Sequence, residues 1–114
     1  MFGAGGNRPK VRRFEMGEVS GNLADLSVIT ADNSRYENVL DILADIKVGL
    51  AKTDGKYIEI PDPREAIRWC IENAQPGDII VLAGKGHEDY QEIEGKKYPF
   101  DERVVIREIL DSMK

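Results

Sequence analysis

At 114 residues the chain is long enough for one domain with its own core and too short for two. Its net charge of −5 argues against a general nucleic-acid surface. With no run of about 18 apolar residues and no basic, apolar-cored leader, it is expected to have neither a membrane span nor a signal peptide, and its lone cysteine, Cys70, excludes an internal disulfide and makes a reducing, cytoplasmic setting the default.

Met1-Phe2 reads as the end of a strand entering the turn Gly3-Ala4-Gly5-Gly6-Asn7-Arg8. Met16, Val19 and Leu23 then recur at helical spacing up to about Ala24; Leu26 to Thr30 reads as a strand and Ala31 to Arg35 as a polar turn. Val39, Ile42, Leu43, Ile46 and Leu50 form an i, i+3, i+4, i+7 stripe, which predicts a helix, and Tyr57 to Ile60 a short strand. The next helix is signposted by Asp62 as cap, Pro63 at the first helical position and Glu65 completing an acidic variant of the capping box. Its spacing with Ile67, Ile71 and Ala74 makes Cys70 a core filler, and Gln75-Pro76-Gly77 stops the helix.

Ile79-Ile80-Val81-Leu82 places four large apolar residues in a row, three of them β-branched, and predicts a strand buried on both faces of a parallel sheet. Tyr90 to Ile93 and Lys97-Tyr98 flank Glu94-Gly95 as a small antiparallel hairpin. A last helix starts at Asp101, with Phe100 and Val105 at staple positions and Val105, Ile106, Ile109 and Met113 on its buried face. The alternation points to an α/β fold: a Rossmann-like, mostly parallel sheet with helices on both faces, a C-terminal antiparallel hairpin and a truncated first strand. In the common doubly wound order that first strand lies mid-sheet, so the chain reads as the later part of a larger protein. Exposed edges recruit other chains, and the isolated piece is therefore expected to be unstable, to self-associate or to be repaired by a partner strand.

Three turns follow three candidate parallel strands: Gly3 to Arg8, Asp32 to Arg35, and Gly84-Lys85-Gly86-His87-Glu88. All three are expected at one sheet edge, where α/β folds bind ligands. They bring two guanidinium groups (Arg8, Arg35), one ammonium (Lys85), two carboxylates (Asp32, Glu88) and an amide (Asn33). Arginine grips carboxylates through a planar fork and Glu88 can hold an ammonium, so the set suits a zwitterionic small molecule, an amino acid above all. Charge is lopsided in the same sense, +4 over residues 1–13 and −9 over the rest, which suits a small anionic ligand better than a polymer; a solvated basic end is the other reading. Plainer readings stand beside each turn. The last lacks the spacing and the Ser or Thr of a Walker-type loop and can be a tight solvated turn. Arg8 occupies the third glycine position of a dinucleotide fingerprint, which argues against that class. A lone histidine such as His87 is more often a structural hydrogen-bonding group than a catalytic one, and Asp32-Asn33-Ser34 can simply cap the following helix.

Together, Phe2-Gly3-Ala4-Gly5-Gly6-Asn7-Arg8, Thr30-Ala31-Asp32-Asn33-Ser34-Arg35 and Ala83-Gly84-Lys85-Gly86-His87-Glu88, the last followed by Tyr90-Gln91, resemble the Mur ligases in order and spacing. The resemblance covers essentially the whole chain and only the later part of that family's C-terminal, amino-acid-binding domain; residues 1–114 would be that partial domain, without the N-terminal and central ATP-binding domains. It implies an ATP-dependent amide ligase of peptidoglycan synthesis, working through an acyl phosphate that the incoming amine attacks. Among its members it points to those that add meso-diaminopimelate to UDP-N-acetylmuramoyl-L-alanyl-D-glutamate; lysine or another amino acid on the same scaffold, or a stand-alone amino-acid or anion-binding module, are the alternatives.

By the resemblance, Arg35 and Asn33, in the turn begun by Asp32, would bind the far carboxylate of diaminopimelate. Glu88 and the Gly84 carbonyl would hold its distal ammonium and Arg8 its other carboxylate, with Lys85 and His87 in support. ATP and Mg2+ would be bound mainly outside this chain, which would carry no catalytic residue or metal ligand of its own. Departures from the family pattern are Ser34 for proline, Pro9 for aspartate and Phe14 for proline; they leave Lys10 and Arg13 without an assigned role.

Overall fold

The structure, a computed structural model, describes residues 1–83 and 88–113. Four helices, α1 (Lys10–Leu23), α2 (Val39–Leu50), α3 (Pro63–Asn73) and α4 (Glu102–Ser112), alternate with strands β1 (Leu26–Ile29) and β2 (Lys56–Glu59) and the pair β3 (Tyr90–Ile93) and β4 (Lys96–Pro99). β1 and β2 pair in parallel, Leu26 opposite Lys56 and Ile29 opposite Glu59, whereas β3 and β4 are antiparallel around Glu94-Gly95, both at positive φ as a tight hairpin requires. Phe2 extends the parallel sheet by one residue, bridging Ile29 on one side and Ala83 on the other. The order across the sheet is thus β2, β1, Phe2, Ala83.

Local chemistry accounts for most boundaries. Asn38, Asp62 and Asp101 each cap a helix by accepting from the backbone N–H two residues on. The 39–50 stripe buries Ile42, Leu43, Ile46 and Leu50 with Phe2, Ala4 and Ile29 on one face of the sheet. On the other face Val28 packs on Ala66 and Cys70, and Ile67 on Val105 and Ile109 with Phe100 beside them. Burial pushes the Cys70 thiol pKa up, as for an inert core filler. α1 and α2 cross so closely that a Cβ on Gly17 would collide with the Ile46 carbonyl, and one on Gly49 with the Phe14 carbonyl.

Two expectations fail. Residues 79–82 form no ladder strand beyond the bridge at Ala83, and instead of being buried Ile79 is 88% and Val81 63% exposed. Their apolar pattern is right for a two-sided interior, but among the described residues only Met1 and Phe2 stand between this segment and β1. Met113 is half exposed at the end of α4 rather than on its buried face, since the packing of that helix centres on Val105 and Ile109.

Candidate functional site

The glycine turn and the Asp32 turn are built into one another. Gly6 N–H donates to the Asn33 carbonyl at 2.9 Å, and a Cβ on Gly6 would collide with the Ser34 carbonyl, so only glycine permits the approach. Asn33 and Arg35 both have left-handed backbone, φ 49° and 54°, a region that asparagine tolerates and arginine rarely adopts. That geometry turns the Arg35 guanidinium back over the glycine turn. Its Nη1 donates to the carbonyls of Gly6 (3.1 Å) and Asn33 (3.3 Å), and its Nε lies 3.3 Å from a Glu92 carboxylate oxygen. A Cβ on Gly5 would sit 2.8 Å from Arg35 Nη1 and 3.5 Å from Arg8 Cγ, so the glycine lies between the two arginines. Arg8 itself is exposed.

Asn33 is buried and uses every polar group it has. Its backbone N–H donates to Gln91 Oε1 (2.9 Å), its Nδ2 to Glu88 Oε1 (3.1 Å), and its Oδ1 accepts from the Glu92 N–H (2.8 Å). Tyr90 Oη donates to the other Glu88 oxygen at 3.3 Å. Backbone bonds from Arg35 N–H to the Glu92 carbonyl and from Glu94 N–H to the Arg35 carbonyl fasten β3 alongside. Asn33, Arg35 and Glu88 are therefore held as one unit at the sheet edge, with Arg8 next to them. Asp32 lies so close beside Gly3 that a Cβ placed there would collide with the Asp32 Cβ at 2.9 Å. The cap of α2 is Asn38 and not the Asp32 turn, which removes the plainer reading of that turn. Gly84, Lys85 and His87 lie outside the described residues, and their expected roles with them. Among the described residues no cluster of three or more His, Cys, Asp or Glu side chains could hold a metal ion.

Three residues were given no role in the site by the sequence. Gln91 and Glu92 enter because the hairpin lies against the Asp32 turn, a long-range pairing that no local pattern reports. Arg13, to which the sequence assigned no role, is 1% exposed. Its guanidinium donates to Glu37 (2.7 Å), Asp45 (2.8 Å) and the Gly5 carbonyl (3.2 Å), while Glu37 also accepts from Asn7 N–H. This cluster ties α1, α2 and the glycine turn together and holds the Glu37 carboxyl below its ordinary pKa, chiefly through the Arg13 hydrogen bond. It also neutralises Arg13, so the positive charge left near the turn is that of Arg8, Lys10 and Arg12, at the positive end of the α1 dipole.

A family model described as "Mur ligase, glutamate ligase domain" matches residues 1–86. Among curated relatives, UDP-N-acetylmuramoyl-L-alanyl-D-glutamate--2,6-diaminopimelate ligase of Caldanaerobacter subterraneus subsp. tengcongensis is 54% identical over 110 residues, 96% of this chain and 23% of its own length. The proteins of that name from Alkaliphilus metalliredigens and Aquifex aeolicus are 50% and 46% identical, each over 96% of this chain and 22% and 23% of their own. A solved structure of an enzyme with the same name superposes with a TM-score of 0.90 at 40% identity, over 98% of this chain and 24% of that one. The chain thus spans under a quarter of the length of these relatives.

Proposed function

Given that the chain belongs to the Mur ligase family, by its match to the glutamate ligase domain, we propose that it is the part of an ATP-dependent amide ligase that presents meso-diaminopimelate to UDP-N-acetylmuramoyl-L-alanyl-D-glutamate. Residues 1–114 would be a partial C-terminal domain. ATP with Mg2+, held chiefly by chain outside these residues, would supply the phosphoryl group that activates the acceptor carboxylate. The work of the residues described here is to bind and orient the amine that attacks it, which lowers the barrier by fixing geometry before reaction.

The observation that carries this reading is the fixed Arg35–Asn33–Glu88 unit. Two backbone carbonyls pin Nη1, so the guanidinium is preorganised; a carboxylate forking onto Nη2 and Nε would displace Glu92 from Nε. Glu88, oriented by Asn33 and Tyr90, would receive the distal ammonium. Arg8, across Gly5, is the second cation for the other carboxylate. A ligand with two acids and two amines uses all of these groups; lysine, lacking the far carboxylate, leaves Arg35 idle. Titrating the isotope-labelled chain with meso-diaminopimelate and with lysine tests this by NMR. Diaminopimelate should shift the Arg35 side-chain signals together with those around Glu88, Asn33 included, and lysine the latter only. Equal responses at Arg35, or none, would overturn the assignment.

A further inference from the structure

The backbone of Glu92 is fixed on both sides: its N–H donates to Asn33 Oδ1 and its carbonyl accepts from Arg35 N–H. Its side chain is held more lightly. A carboxylate oxygen lies 3.3 Å from Arg35 Nε, on a guanidinium whose Nη1 two backbone carbonyls already fix. Both partners keep some exposure, 17% for Arg35 and 28% for Glu92, so this is an ion pair that a ligand can open.

Side chains alternate along β3, which sets Glu92 on the face of Tyr90 and puts Gln91, buried against the Asn33 N–H, on the other. On β4 the residue directly opposite Glu92 is Lys97, and residues opposite one another in an antiparallel pair share a face, with Cβ atoms about 5 Å apart. The position of Lys97 Nζ agrees: it stands 4.6 Å from the centre of the Tyr90 ring, whose hydroxyl donates to Glu88. Glu92 therefore sits between two cations. It contacts Arg35, and a change of its side-chain rotamer brings it to Lys97 with both backbone bonds intact.

We propose that Glu92 is a resident carboxylate, paired with Arg35 while the site is empty and handed to Lys97 when a ligand carboxylate takes Nε, which makes Glu92 a specificity-determining residue. The proposal rests on the substrate reading above. A ligand with a far carboxylate must expel Glu92, and the new pair with Lys97 offsets part of that loss. Lysine, without such a carboxylate, leaves Glu92 on Arg35. A simple carboxylate with no ammonium for Glu88 must expel Glu92 for the fork alone, so the resident group also screens out stray anions.

Calorimetric titration with meso-diaminopimelate and with lysine tests this on the 114-residue chain, unchanged and as Glu92→Gln, Lys97→Met and the double variant. Glutamine keeps the shape of Glu92 and both of its backbone bonds. Glu92→Gln should tighten diaminopimelate about two- to fivefold, the range of a partly exposed ion pair, and leave lysine unchanged. Lys97→Met should weaken diaminopimelate about twofold on its own and do nothing once Glu92 is replaced, a non-additivity that a merely structural lysine would not produce. Diaminopimelate affinity unchanged or weakened by Glu92→Gln would overturn the exchange, as would a Lys97→Met loss that is absent or that persists in the double variant. In those cases an Arg35 NMR signal that still answers to diaminopimelate would leave the substrate reading standing. An Arg35 signal silent to diaminopimelate in the unchanged chain would overturn both.

Discussion

Asn33 shows how much of the site rests on one amide. Aspartate there keeps the turn but sets a carboxylate against Glu88, while alanine leaves the Glu92 N–H and the Glu88 carboxylate without their partner. Asn33→Ala should cost about 1–3 kcal/mol, the usual penalty for orphaning buried polar groups, and Asn33→Asp should loosen β3 further; unfolding curves in denaturant would measure both. At Arg13 the charge balance gives a pH dependence. Glu37 has a folded-state pKa below its ordinary 4.5, so its contribution to stability is complete above that value and is lost as pH falls through the lowered one. Glu37→Gln should flatten that part of the acid-unfolding profile. At neutral pH it should cost about 1–2 kcal/mol, less than for a fully buried pair because Asp45 remains and Glu37 is partly exposed. An unchanged acid limb would show that the cluster contributes nothing. None of this was legible in the sequence at Arg13, where one basic residue among four looks like any other; burial became apparent only once α2 lay across it.

At the scale of elements, helices were legible because each carries its own pattern: the 39–50 stripe, and Asp62-Pro63 opening α3. Their close crossing was not. Gly17 and Gly49 look like weak points of α1 and α2 by propensity, and replacing either with alanine in an isolated helix would stabilise it by roughly 1 kcal/mol. In this fold the added Cβ strikes the backbone of the facing helix, so Gly17→Ala and Gly49→Ala should each destabilise by about 1–3 kcal/mol. Thermal unfolding decides between the two signs. Residues 79–82 show the converse limit. Their composition was read as two-sided interior, yet a strand is made by its neighbours, and among the described residues only Met1 and Phe2 lie between this segment and β1, which leaves Ile79 and Val81 in solvent. The hairpin was located from Glu94-Gly95, but its role as the support of Asn33 lies in contacts 58 and 59 residues away in sequence.

For the molecule as a whole, strand alternation led to the expectation that the glycine turn, the Asp32 turn and Glu88 meet at one edge, and the structure brings Gly6, Asn33 and Glu88 together there. If ATP and Mg2+ are held chiefly by chain outside these residues, as proposed, the 114 residues should by themselves release no phosphate from ATP and form no amide bond. An assay with Mg2+, the UDP-linked dipeptide and diaminopimelate checks this directly. The central claim, that Arg35 selects an amino acid with a far carboxylate, is tested most directly in a full-length ligase carrying this domain, by comparing kcat/KM for meso-diaminopimelate and for lysine before and after Arg35→Ala. Losing one partner of a buried charge pair costs about 2–5 kcal/mol, so the preference for diaminopimelate should fall by roughly 30-fold to several thousand-fold, with Arg35→Lys restoring only part of it. A diaminopimelate-to-lysine ratio unchanged by Arg35→Ala would contradict the account.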